Sequence, residues 1–204
     1  MGVCGSGKTT VGRLLAGELG WIFRDGDDYH PPANVAKMAA GVPLTDADRQ
    51  PWLRRLAKIL RRALAAGEGM VLACSALRAV YRQLLGADRP GVLLVYLRGS
   101  PQTIAGRLAM RRHRYMPASL LDSQFAVLEE PGDAMVVDVE WPPAEIVRRI
   151  RAAVADGWMS PASGGGTPQP MSAPGSRRAG GPAPASRPAA AARRAAAARG
   201  RQDP

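Results

Sequence analysis

Aromatic residues are scarce in this 204-residue chain, at 5%, and lysine is scarcer: Lys8, Lys37 and Lys58 stand against 25 arginines. Two cysteines, Cys4 and Cys74, are too few for a disulfide framework. No apolar run reaches the roughly 18 residues that a membrane span needs. The opening MGVCGSGKTT carries no apolar signal core. These absences exclude a disulfide-stapled scaffold and a helical membrane protein. The expectation is a soluble cytoplasmic chain with no membrane partner.

The net charge of +11 suggests nucleic acid at first, but it is unevenly spread. Residues 158–204 hold seven arginines and one aspartate, more than half of the excess. That stretch is Pro, Gly, Ala, Ser and Arg without a periodic apolar pattern. It cannot bury enough apolar surface to offset its ordering entropy, so it reads as a disordered tail. No aromatics interleave its arginines, so no specific nucleic-acid partner is expected. Translation of GC-rich sequence in a shifted frame gives similar strings and remains an alternative origin. The expected organisation is a folded domain over 1–157 and a tail over 158–204.

Within 1–157, short apolar runs alternate with helical patterns. Lys8 to Leu19 places Val11, Leu14, Leu15 and Leu19 on one helix face. Thr45 caps a long helix through Ala66, stopped by Gly67. Helices are also predicted over 77–85, 101–112, 118–128 and 143–155. Met70 to Cys74, Val92 to Leu97 and Met135 to Val139 read as buried parallel strands. The alternation predicts an α/β fold, a parallel sheet with flanking helices.

Gly2-Val3-Cys4-Gly5-Ser6-Gly7-Lys8-Thr9 satisfies G-x-x-x-x-G-K-[ST] at every fixed position. Three glycines let the backbone curl so that N–H groups converge on phosphate oxygens, at the positive end of the following helix. Lys8 suits the β/γ-phosphates, Thr9 offers a hydroxyl to Mg²⁺, and Thr10 is a weaker candidate for the α-phosphate. The expected nucleotide is ATP. Such a loop follows a strand, and here Met1 alone precedes Gly2. The first strand is therefore expected to be truncated. A start codon placed too late, with Met1 ending that strand, is favoured over a damaged gene.

Asp25-Gly26-Asp27-Asp28-Tyr29-His30 follows the apolar Trp21-Ile22-Phe23. Carboxylates at the C-terminal end of a strand lie where open α/β sheets bind ligands. One can organise Mg²⁺-bound water, and another can accept a proton from an attacking hydroxyl.

Four stretches together, GVCGSGKTT, DGDDYHPPANVAKMAAGVPLTDADRQPWL, ACSALR-x-x-YR and MPASLLDSQF, resemble the gluconate kinases, a P-loop sugar-acid kinase family. The likeness runs from Gly2 to Gln124 and more loosely to about Ala155. It implies the nucleoside-monophosphate-kinase-like fold, transfer from ATP to D-gluconate, and commonly a homodimer. By that likeness Asp25 holds a Mg²⁺-bound water and Asp27 is the base. His30, Arg49 and Ser75 are substrate contacts, followed by Arg78 and Gln124. A substrate carboxylate suits arginine, whose guanidinium donates to it bidentately. Lys37 is as readily a solvated helix residue, Trp52 reads as packing more than stacking, and Cys74 as a small buried hydrophobe. Cys4 stands where the family usually has serine.

Arg107 and Arg111 match the family's lid arginines, which offset charge developing on the transferring phosphoryl group. The family then has Gly-His-Phe or Gly-His-Tyr, whereas this chain reads His113-Arg114-Tyr115. That departure puts the lid hinge in question, and the segment after Glu130 is also shorter. Alternatives are a kinase for another small hydroxy acid such as shikimate, or an inactive truncated remnant whose basic tail binds nucleic acid. The PPANVAKM and TDADRQPW stretches argue against shikimate.

Overall fold

Glycines at three loop positions turn the chain sharply enough to start a helix directly behind the loop. Gly2, Gly5 and Gly7 take φ of 141°, 83° and 93°, values that L side chains rarely adopt. A Cβ on Gly2 would stand 2.7 Å from the Leu97 carbonyl oxygen, so glycine is required there. The computed structural model describes residues 1–110 and 118–157. The expected tail, and Arg111 to Arg114 of the expected lid, lie outside the described residues.

Helix α1 (Lys8–Leu19) ends at Gly20, whose left-handed conformation returns its N–H to Ala16 and Gly17. Strand β1 (Ile22–Asp25) and a 3₁₀ turn (Gly26–Tyr29) follow, then α2 (Pro32–Ala39) and α3 (Asp46–Ala66). Thr45 and Asp48 form a reciprocal capping box at the start of α3, as the sequence predicts. After β2 (Met70–Ala73) come α4 (Ala79–Leu85), β3 (Val95–Arg98), α5 (Pro101–Ala109), α6 (Ala118–Ala126), β4 (Met135–Asp138) and α7 (Pro143–Ala155).

The helix expected over 118–128 ends at Ala126, and β2 and β4 each stop one residue short of the expected end; two starts differ from the apolar pattern for local reasons. Ala76 takes φ 45°, so α4 starts at Ala79 rather than Leu77. The Val92 N–H closes a turn on the Arg89 carbonyl, so β3 begins at Val95.

Among the described residues all strand pairing is parallel. β1 pairs with β2, with Asp25 opposite Ala73, and β3 pairs with β4, with Arg98 opposite Asp138. Met1 and Gly2 lie between the two pairs. The Leu97 N–H bonds the Met1 carbonyl at 3.0 Å, and the Gly2 N–H bonds the Ser75 carbonyl at 3.2 Å. Two apolar clusters flank this layer. One gathers Val11, Leu15, Leu97, Ile104, Val137 and Val147, and the other gathers Trp52, Leu53, Leu56, Cys74, Tyr81 and Leu85. Among the described residues no helix is long and apolar enough to cross a membrane.

Candidate active site

Parallel strands end on the same side, so their C-terminal loops share one face. Asp25 ends β1, Ser75 follows β2, and the glycine-rich loop emerges beside them. The N-terminus of α1 has neither a side-chain cap nor an acidic residue in its first turn. Its positive end and the loop N–H groups are thus directed at an anion. Val3, Gly5 and Ser6 are buried, and Thr9 and Thr10 face solvent at the rim. The Lys8 ammonium donates to the Val3 carbonyl at 2.9 Å. Burial pushes the Lys8 pKa below its ordinary value, while Cys4, Asp27 and Asp25 oppose that shift.

The Thr9 hydroxyl donates to Asp25 Oδ2 at 2.9 Å, and Asp25 Oδ1 accepts the Asp27 N–H at 3.2 Å. Thr9 and Asp25 thus present hard oxygens side by side. Among the described residues no group of three or more His, Cys, Asp or Glu could hold a metal. Such a donor set fits Mg²⁺, which keeps waters and shares one or two protein oxygens with substrate phosphates. The Asp27 carboxyl is raised above its usual range by desolvation and by the negative Asp25, with Lys8 pulling the other way.

His30 stacks on Trp52 with centroids 4.1 Å apart and planes 14° from parallel. Trp52 is 3% exposed and its indole N–H donates to the Gly26 carbonyl at 2.7 Å. It therefore both packs, as expected, and stacks, as was not, supporting the His30 ring and the turn that carries Asp27. Burial, with Arg49 nearby, lowers the His30 pKa to about 4. The imidazole is neutral at physiological pH and suits hydrogen bonding rather than proton transfer.

Other expected site residues stand in different company. Arg49 faces the Tyr81 ring at 5.8 Å and pairs with Asp46 at 3.7 Å. Arg78 pairs with Asp46 and, at 3.5 Å, with Glu129, so its charge is already engaged. Gln124 Oε1 accepts the Cys4 N–H at 2.7 Å, which joins α6 to the phosphate loop. Arg107 donates to the Val139 carbonyl and lies near Gly7, beside the loop. Lys37 is paired with Asp48 at 2.7 Å and ties α2 to the cap of α3.

Sequence reasoning missed Asn34 and Arg82. Buried Asn34 donates to the Asp48 carbonyl at 2.8 Å and contacts His30 Nδ1 at 3.4 Å. Arg82 is 8% exposed, and its Nη1 reaches the carbonyls of Ala76, Leu77 and Glu129 at 3.3, 3.1 and 2.9 Å. It thereby fixes the strained turn after Ser75. The repeated Arg of ACSALR-x-x-YR was a readable signal. Replacing Arg82 with leucine strands three carbonyls. We expect a loss of about 2–4 kcal/mol, read as a lower urea midpoint at unchanged slope. An unchanged midpoint would refute this role.

The family model for shikimate kinase matches residues 4–152. The chain is 51% identical to a probable gluconokinase of Mus musculus, covering 65% of this chain and 81% of the relative. It is 53% identical to a gluconokinase of Gluconobacter oxydans, covering 65% and 75%. A solved gluconokinase from Sinorhizobium meliloti superposes with a TM-score of 0.67 at 46% identity, covering 76% of this chain and 89% of that one. With its loop, acidic turn and sheet arranged as described, the chain belongs to the gluconokinase family of P-loop kinases.

Proposed function

We propose that this protein transfers the γ-phosphoryl group of ATP to D-gluconate, giving ADP and 6-phospho-D-gluconate. Membership of the gluconokinase family carries this reading. The acidic turn beside the phosphate loop supplies chemistry that suits it.

Gly2 to Thr10 bind the nucleotide phosphates, with Lys8 on the β- and γ-oxygens. Thr9 and Asp25 would hold Mg²⁺, which would supply neutralising charge to the phosphates. Asp27 takes the proton of the attacking 6-hydroxyl. A raised pKa makes its carboxylate a stronger base than a free aspartate. His30, Arg49 and Ser75 bind the sugar acid, with Trp52 supporting His30 from below. Arg78 orients Asp46 and Glu129 at the edge of this wall and reaches substrate by exchanging an ion-pair partner. Gln124 acts through the loop, as a brace on the Cys4 N–H. Arg107 and Arg111 close on the nucleotide. Residues 1–157 form the kinase domain, and 158–204 lie outside it.

ADP release with Mg²⁺, ATP and D-gluconate, set against shikimate and against no acceptor, tests the reaction. Gluconate-dependent turnover is expected. Turnover with shikimate in preference to gluconate would overturn the substrate assignment.

A further inference from the structure

His30 caps the end of the 3₁₀ turn, and Asn34 lies one helical turn beyond it, in the first turn of α2. Asn34 is 3% exposed and bridges that cap to the start of α3. Its Nδ2 lies 2.8 Å from the Asp48 carbonyl oxygen and 3.4 Å from His30 Nδ1. A carbonyl oxygen only accepts, so the group facing Asp48 is the NH2 of the amide and not its oxygen. The amide thus has one orientation, and its second N–H is left for the imidazole.

That contact decides where the ring keeps its proton. A nitrogen that meets an N–H donor must accept, so Nδ1 is bare. Burial and the positive Arg49 hold the His30 pKa at about 4, so the imidazole carries one proton at neutral pH. That proton therefore resides on Nε2. The ring plane is fixed as well. Trp52 covers one face at a centroid distance of 4.1 Å, and its own N–H is tied to the Gly26 carbonyl. Asp48 in turn is held by the Lys37 ion pair and by the Thr45 box at the start of α3. Every partner of the ring is itself anchored, which leaves Nε2–H as its donor.

We propose that Asn34 is the positioning residue that keeps His30 in its Nε2–H form, so that the ring meets the sugar acid as a hydrogen-bond donor. The oxygen it selects is an acceptor, either a carboxylate oxygen or a hydroxyl lone pair. This rests on the reading that His30 contacts the sugar acid. With the opposite tautomer the ring would present a bare nitrogen, which repels a carboxylate and requires a hydroxyl proton instead. Asn34 thus acts on recognition through His30, without touching substrate, and its effect belongs on gluconate and not on ATP.

Tautomer and affinity are measured separately. His30 and His113 are the two histidines of the chain. The full chain labelled with ¹⁵N-histidine therefore gives two imidazole patterns in a long-range ¹H–¹⁵N spectrum, and His30→Gln assigns them. At neutral pH His30 should show a protonated Nε2 and an unprotonated Nδ1. In Asn34→Ala that pattern should move toward a mixture of tautomers. KM for gluconate should then rise about tenfold, with KM for ATP within about twofold. A protonated Nδ1 in the parent protein would overturn the proposal, and so would an Asn34→Ala spectrum identical to the parent's. A changed tautomer with unchanged gluconate KM would overturn the donor role. Two His30 variants carry the test should Asn34→Ala fail to fold. His30→Gln, whose amide NH2 reaches the place of Nε2, should have a gluconate KM about tenfold below that of His30→Leu. Equal values would overturn the proposal. The spectrum of the unliganded chain needs no turnover. An Nε2–H ring in a chain that does not phosphorylate gluconate would overturn the function and not the tautomer.

Discussion

Asp27→Asn should lower kcat for gluconate phosphorylation by about 10³-fold while leaving KM for ATP within a few-fold, measured as ADP release. Asparagine keeps the size and the polar contacts of the side chain but cannot take a proton at neutral pH. The pH dependence separates this from a packing defect. In the parent protein the base must be ionised, so kcat/KM falls as pH drops through the Asp27 pKa. Desolvation and Asp25 set that pKa above the ordinary 3.8, so the acid limb is displaced upward from that of a free aspartate. Stability moves the other way. A carboxyl whose folded pKa exceeds its unfolded pKa binds its proton more tightly in the native state. Stability then declines as pH rises through that window, and ionised Asp27 is a cost at pH 7. The asparagine variant should therefore melt no lower than the parent. A variant that keeps full kcat would remove Asp27 from the reaction, and one that melts much lower would make it structural.

The fold was more legible than the side chains of the site, and particular elements show why. α1 and α3 were predicted to the residue, because glycine stops both and a Thr45–Asp48 box starts the second. Those signals are local and need no knowledge of the rest of the chain. The phosphate loop was equally clear, since its glycines answer to backbone geometry alone. The substrate wall depends on partners far apart in sequence. The His30–Trp52 stack joins the acidic turn to α3, and Gln124 meets Cys4 across 120 positions. Arg78 carries no mark in the sequence that Asp46 and Glu129 would claim its charge. Arg82 spends its guanidinium on three carbonyls, a contact defined only once the turn after Ser75 has folded back. Pairings of this kind arise from packing, and the pattern of one segment does not encode them.

Lys8→Met should reduce kcat by about 10²–10³-fold and weaken ATP-induced thermal stabilisation, because it removes a preorganised donor aimed at transferring charge. The ammonium sits where its own charge is disfavoured. Burial lowers its pKa, and the compensation comes from Cys4, Asp27 and Asp25. A lysine with a depressed folded pKa costs stability wherever it must stay protonated, below its ordinary 10.5, so methionine should not lower the Tm of the unliganded protein. Lys8→Arg should not rescue transfer, since a planar fork cannot replace a compact charge in a loop this tight. The two charged residues are also linked. Lys8 is the group that pulls the Asp27 pKa down against Asp25 and desolvation. Removing it should move the acid limb of the residual activity to higher pH than in the parent. A Lys8→Met enzyme with an unshifted limb would show that Lys8 and Asp27 act independently. A shifted limb would tie the phosphate-binding charge to the basicity of the group that activates the acceptor.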